Sequence, residues 1–270
     1  MLHLELIKDI KGVSKRIKLN NNVETSLLSL NPAAVYFLSE NPNEIDWGYL
    51  SGNPTSLFLH EKNLNKIDWD NLSFNPSAVD LLEKNIERVN WYKLSHNPAA
   101  GRLIEKNIER VDWGYLYLSR NPSALYLLEK NPDKIDWHCL SQNPAAIHLL
   151  EKNIERIDWK CLSWNPSALR LLEKNPDKID WEMLNSNPAA ICLLEENPDK
   201  IYWYRLSENP AATYLIEKNL NKINKYNLYN NPAAMFLLEI NLRLFETDLD
   251  EIDWYALSEN PTAIHLLEEK

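Results

Sequence analysis

Glycine is scarce, with 5 in 270 residues, and cysteine is scarcer still, with 3. No glycine-rich phosphate loop, GxSxG or Walker pattern is present, which removes the common nucleotide and hydrolase signatures. An odd, small number of cysteines builds no disulfide framework and suits a reducing compartment. No run reaches the ~18 apolar residues that a membrane helix needs. The opening MLHLELIKDIKG also lacks the continuous apolar centre of a signal peptide. The chain therefore reads as intracellular, not secreted and not membrane-bound. Basic residues are in the minority, 29 Lys and Arg against 39 Asp and Glu, for a net charge of -10. Nucleic acid is not an expected partner, because displacing its counterions takes clustered Lys and Arg.

What is present is repetition. An Asn-Pro pair recurs at Asn31, Asn53, Asn75, Asn97, Asn121, Asn143, Asn165, Asn187, Asn209, Asn231 and Asn260, at intervals of 22 residues except for 24 after Asn97 and 29 after Asn231. Within NPSALYLLEKN (121–131), Asn121 is placed to cap a helix, and Pro122 suits the first helical position, where its missing N–H costs nothing. Ala, Leu and Glu follow as helix formers. Asn131 stands where a left-handed residue ends a helix, and Pro132 blocks its continuation. A long helix of nine or ten residues is expected. Asp136 then caps a second, shorter segment, α or 3₁₀, that ends before Asn143.

Neither piece is long enough to be stable alone in water. The apolar letters supply the remedy: Ala124, Leu125, Leu127, Leu128, Ile135, Trp137 and Leu140 recur as types in the other copies. Leucines at consecutive positions face different sides, as in a helix sandwiched between the preceding and following copy. The expectation is an all-α solenoid of 22-residue repeats over 31–270, a curved rod on the order of 100 Å long at 8–10 Å between neighbours, with Trp as a core post. Residues 1–30 lack the phrase and are expected to cap the stack, although VETSLLSLN (23–31) matches a degenerate short helix. Two stretches break register, 111–122 with two extra residues and 219–253, where Lys225 takes the Trp place. The second is expected to have the lowest local stability.

The acidity belongs to the scaffold. Glu173, Lys174, Asp177, Lys178 and Asp180 recur from copy to copy and together carry one negative charge per repeat.

The phrase NPSALRLLEKNPDKIDWEML, with its Asn-Pro start, Leu-Leu-Glu-Lys-Asn middle and Ile-Asp-Trp close, resembles short tandem repeats in proteins of giant nucleocytoplasmic DNA viruses of the mimivirus type. The resemblance spans residues 31–270 and implies a host-cytoplasmic or virion setting. It brings no activity, catalytic residue or cofactor. In architecture the pattern is similar to the leucine-rich repeat variant, which also alternates a long and a short helix.

Function must be sought in the letters that refuse to repeat. On the short-helix row these include Tyr49, Tyr92, Tyr115, His138, Lys160, Trp164, Tyr204, Tyr226 and Tyr255. Tyr and Trp outside a core pattern are enriched at interfaces, and stacking aligns these along one side. Phe74 and His96, like Trp164, precede a repeat-starting Asn. No pair among His3, His60, His96, His138, His148 and His265 has a standard metal-ligand spacing. His138 beside Cys139 and Cys161, themselves at equivalent places in adjacent copies, is the nearest approach to one. No metal, no cofactor and no catalytic residue is expected, since identical sites in every copy do not make the one special site that chemistry needs. The expected function is a non-enzymatic scaffold binding another protein through the variable short-helix face. The alternative is a virion structural protein packing against itself or against capsid components.

Overall fold

The computed structural model describes residues 25–111, 113, 116–223, 225–234, 237 and 254–262, and among them all regular structure is helical. Each copy begins with an asparagine whose Oδ1 accepts the backbone N–H two residues on, as Asn31 does from Ala33 at 2.9 Å. That short reach winds the first turn, Pro32–Ala34, as 3₁₀, and Val35–Glu40 continues as α-helix. The long element therefore has its expected length but a tighter first turn. The alanine closing that turn is fully buried in copy after copy, including Ala34, Ala78, Ala124 and Ala168. A larger side chain there would push the repeats apart.

The C-terminal stop differs from the sequence expectation. Asn131 has φ -131 and ψ 64, and Asn41, Asn85, Asn175 and Asn197 lie close to it, so none of these is left-handed. The side chain does the capping instead: Nδ2 of Asn131 donates to the carbonyl of Leu127 at 2.8 Å, and Asn175 does the same to Leu171 at 2.8 Å. The amide satisfies a carbonyl that the helix end would otherwise leave open, which glycine could not do. A separate 3₁₀ turn follows, such as Pro42–Glu44 or Ile86–Arg88, where only a connection was expected.

Asp46, Asp68, Asp136, Asp158 and Asp180 then cap the short helices as the sequence led one to expect, each accepting the N–H three residues on. Asn90 fills the same role for Trp91–Leu94. Serine ties this cap to the previous copy: Ser141 Oγ accepts from the Asp158 N–H at 3.0 Å and donates to the Trp137 carbonyl at 2.7 Å.

The repeats are locked together by the asparagine that starts each one. Asn75 Nδ2 donates to the carbonyl of Asn53, which starts the preceding copy, at 2.9 Å and to that of Ser51, at the end of the copy before it, at 3.0 Å. Asn97, Asn165, Asn187 and Asn231 repeat that pair of bonds. The row does not stop at the ends. Asn31 Nδ2 donates to the carbonyls of Ser258 at 3.0 Å and Asn260 at 3.2 Å, as though the last copy preceded the first. Thr25–Ser29 packs against both Trp47–Gly52 and Trp254–Glu259. The buried apolar core crosses the same seam, joining Leu28, Ala34 and Leu38 to Leu228, Ala256 and Leu257.

The chain is therefore a closed ring of serially stacked repeats, which corrects the expected open rod. The reason is geometric: each step turns the chain by about an eleventh of a circle, so the eleventh asparagine reaches the first. Of the segment expected to cap the stack, Thr25–Ser29 is a short helix that packs on Trp47–Gly52 and Trp254–Glu259. Residues 1–24 lie outside the described residues.

Leucines fill the centre of the wall, with Leu50, Leu72, Leu94, Leu140, Leu162 and Leu184 fully buried. The tryptophans pack on that core but are only half-buried. Several carry a cation from the next copy's turn over the ring: Lys66 over Trp47 at 5.1 Å, Arg88 over Trp69 at 5.1 Å and Arg156 over Trp137 at 5.0 Å. Trp is thus the outer layer of the core, with a cation–π lid.

The two-residue insertion leaves the asparagine row intact, since Asn121 Nδ2 still reaches the carbonyls of Ser95 and Asn97 at 2.9 Å each. Leu116–Arg120 is 3₁₀. Of the second irregular stretch, residues 224, 235, 236 and 238–253 lie outside the described residues, and the stability expectation for 219–253 falls largely there.

Candidate functional site on the concave wall

Short helices pack on short helices around the ring. Side chains that follow Trp or precede Asn project from that row, and contacts between them skip copies. The Arg120 guanidinium lies 5.1 Å from the centre of the Trp164 ring, two repeats further on. On the long-helix row, interactions among the described residues reach the adjacent copy, as between Tyr36 and Phe58 rings at 6.2 Å or His148 and Glu129 at 2.7 Å. Convergence on one row and not on the other makes the short helices the concave, inner side.

Among the described residues, two depressions on this wall differ clearly in chemistry. The first draws Tyr49, Phe74, Tyr92 and His96 from three consecutive copies, with Gly48 and Gly52 leaving room between them. His96 is its hub. Its ring sits 3.8 Å from Tyr117, 5.2 Å from Tyr92 and 6.1 Å from Phe74, and its Nδ1 bonds the Tyr92 carbonyl at 3.1 Å. Partial burial among the aromatic rings, with Lys93 and Arg120 nearby, holds the imidazole below its usual pKa despite that bond. The pocket is lined mainly by neutral rings.

The second depression, of about 460 Å³, has a different chemistry and draws on five copies, from Arg120 through His138, Lys160 and Trp164 to Arg205. Arg205 is paired with Glu182 at 3.1 Å. His138 Nδ1 meets Asp158 Oδ2 at 2.7 Å, and Cys161 Sγ lies 3.5 Å from the same nitrogen. Gln142 Nε2 donates to Cys161 Sγ at 3.1 Å. Partial burial pushes the Asp158 carboxyl up, but the Cys161 amide and His138 outweigh it and leave the group below its usual value. Burial raises the Cys161 thiol, and raises the buried Cys139 thiol to about 12. The ligand atoms of His138, Asp158 and Cys161 all lie within 4.8 Å of one another, so these three can hold a metal ion.

Of the residues expected from sequence, Tyr49 and Tyr92 meet in the first depression, and His138, Lys160 and Trp164 in the second. Tyr204 stands exposed further along, beside Arg205, whose guanidinium is 5.7 Å from its ring. Tyr255 is exposed near the seam. Tyr115 and the side chain of Tyr226 lie outside the described residues. Sequence reasoning missed Arg120, Tyr117 and Asp158. Arg120 precedes an Asn, as Phe74, His96 and Trp164 do, and following that row would have found it. Asp158 is hidden because most copies have its like.

No family model, curated protein or solved structure matches the chain. No described helix is long and apolar enough to cross a membrane.

Proposed function

We propose that the protein is a non-catalytic binding ring that holds a segment of another protein against its concave wall. The observation that carries this reading is the Arg120–Trp164 stack, which brings variable positions of separate copies onto one continuous surface. The scaffold letters are consumed in holding the ring: asparagine in the inter-repeat row, aspartate in the caps, leucine and alanine in the core. What differs from copy to copy on the wall is three aromatic rings around His96 in the first depression, and Arg120, His138, Lys160 and Trp164 together in the second. Tyr, Trp and Arg are the side chains that anchor protein interfaces. A wall of two unlike depressions suits an extended segment with an apolar anchor and an acidic one, a reading that the guanidinium and ammonium groups of Arg120 and Lys160 support. The host-cytoplasmic or virion setting rests on the sequence resemblance alone.

Selection of binders from a displayed library of random linear peptides tests this. Trp164→Ala and Tyr92→Ala are expected to weaken the selected binders by at least tenfold, and Arg170→Ala on the long-helix row to leave them unchanged. Binders that ignore both concave substitutions would overturn the proposal.

A second reading, self-packing of a structural protein, is favoured by the exposed Tyr36–Phe58 pair on the long-helix row. Sedimentation as a single ring across a wide concentration range would remove it.

A further inference from the structure

We propose that His138, Asp158 and Cys161 form a binding site for one zinc ion, open to the second depression of the concave wall. This goes beyond the proposed peptide binding and does not depend on it. Thiolate, imidazole and carboxylate are the three ligand types zinc takes, and the combination of a soft sulfur with nitrogen favours zinc over magnesium or calcium.

The geometry is close to what a tetrahedral ion needs. Zinc–ligand lengths of about 2.0–2.3 Å put adjacent ligand atoms roughly 3.3–3.6 Å apart. Cys161 Sγ stands 3.5 Å from His138 Nδ1, while Asp158 Oδ2 is at 2.7 Å, a hydrogen-bond distance that opens by about half an ångström when the ion replaces the proton.

Two of the three ligands are held from behind. Asp158 Oδ1 is committed to capping the short helix through the Cys161 N–H at 3.0 Å, which leaves Oδ2 to face the site. Gln142 Nε2 donates to the sulfur at 3.1 Å, the kind of bond that steadies a thiolate. His138 and Cys161 are 23 residues apart, the same register that pairs Glu182 with Arg205. Neighbouring copies thus place the residue after one Trp beside the second residue after the next Trp, and only here does that register join His to Cys over a capping Asp among the described residues.

Binding releases the Cys161 thiol proton to solvent, and the imidazole proton displaced from Nδ1 is carried on Nε2 instead. Thiolate and carboxylate then neutralise the dication, and the fourth position is left for water or for an anionic group drawn in by Arg120 and Lys160.

The test is titration of the reduced ring with Co(II) as a chromophoric probe, followed by Zn(II) competition against a coloured chelator. The wild-type protein is expected to bind one equivalent with a thiolate-to-cobalt charge-transfer band. Cys161→Ser should abolish the band. His138→Ala and Asp158→Asn should each weaken Zn(II) by at least ~10-fold. Asp158→Asn keeps the helix cap, because Asn90 already caps a short helix in this fold. Cys192→Ser, at an exposed thiol elsewhere, should bind as wild type. Absence of the band in the wild-type protein, its survival in Cys161→Ser, or undiminished affinity in His138→Ala would overturn the proposal and leave a plain His–Asp hydrogen bond.

Discussion

The side-chain amide of Asn31 donates to the carbonyl of Ser258, across 227 residues of sequence, in the way that Asn75 reaches the carbonyl of Ser51 across 24. The bond that joins any two neighbouring copies therefore also joins the last to the first, and no copy lacks a neighbour on either side.

Closure predicts linked loosening at the two ends. Asn31→Ala removes the amide that donates to the Ser258 and Asn260 carbonyls, a cost of about 0.5–1.5 kcal/mol for each hydrogen bond lost. Hydrogen exchange should speed up together at 25–40 and 254–262, while 160–175 keeps its protection. Faster exchange confined to the neighbourhood of residue 31 would count against the ring.

His60 sets an acid limit on stability. It replaces a core leucine, is fully buried, and has Ser56 Oγ 3.3 Å from Nδ1 but no hydrogen-bond partner at Nε2. Burial lowers its pKa from 6.5 to about 4, against the smaller upward pull of Ser56. The unfolded chain thus takes up the proton first, so stability present above pH 6.5 is lost as pH falls toward 4. The loss amounts to about 3 kcal/mol from this group alone. Urea midpoints should fall over that window in the wild-type protein and fall less in His60→Leu. Parallel profiles would show that His60 is not the sensor.

Gly101 is required by a close approach. A Cβ built there would stand 2.2 Å from the Ser123 carbonyl oxygen in the next copy. Gly101→Ala gains up to about 1 kcal/mol in helix propensity, but forcing two backbones apart costs on the order of 1–3 kcal/mol. The net effect should be a lower thermal midpoint. A variant more stable than wild type would mean that the copies separate freely at this point.

The helix stop at Asn131 separates two capping mechanisms. At a left-handed C-terminus, Asn→Gly is neutral or favourable. Here the side-chain bond to Leu127 is lost and nothing replaces it, so Asn131→Gly should cost about 1 kcal/mol in chemical denaturation. A neutral result would make the amide a bystander.

Much of this protein could be read from its letters. The 22-residue period, the Asn-Pro start and the Asp cap are local chemistry, legible because capping involves residues two or three apart. The pairing of alanine and leucine with a neighbouring copy followed from helices too short to stand alone. The half-burial of tryptophan was not legible, because its cover is a Lys or Arg contributed by the next copy. The concave row was legible as variable positions. Its partition into an aromatic pocket and a His138–Asp158–Cys161 cluster was not, because Asp158 looks like every other capping aspartate until a neighbour brings His138 to its free oxygen.

The sequence by itself determined the helices, the order in which they stack and the side chains that vary on their surface, since these depend on contacts within one copy or between adjacent ones. Only the tertiary structure decided that the stack closes. Closure is the sum of small rotations at each interface, and a modest change in the angle per step would turn the ring into an open spiral without altering a single local signal.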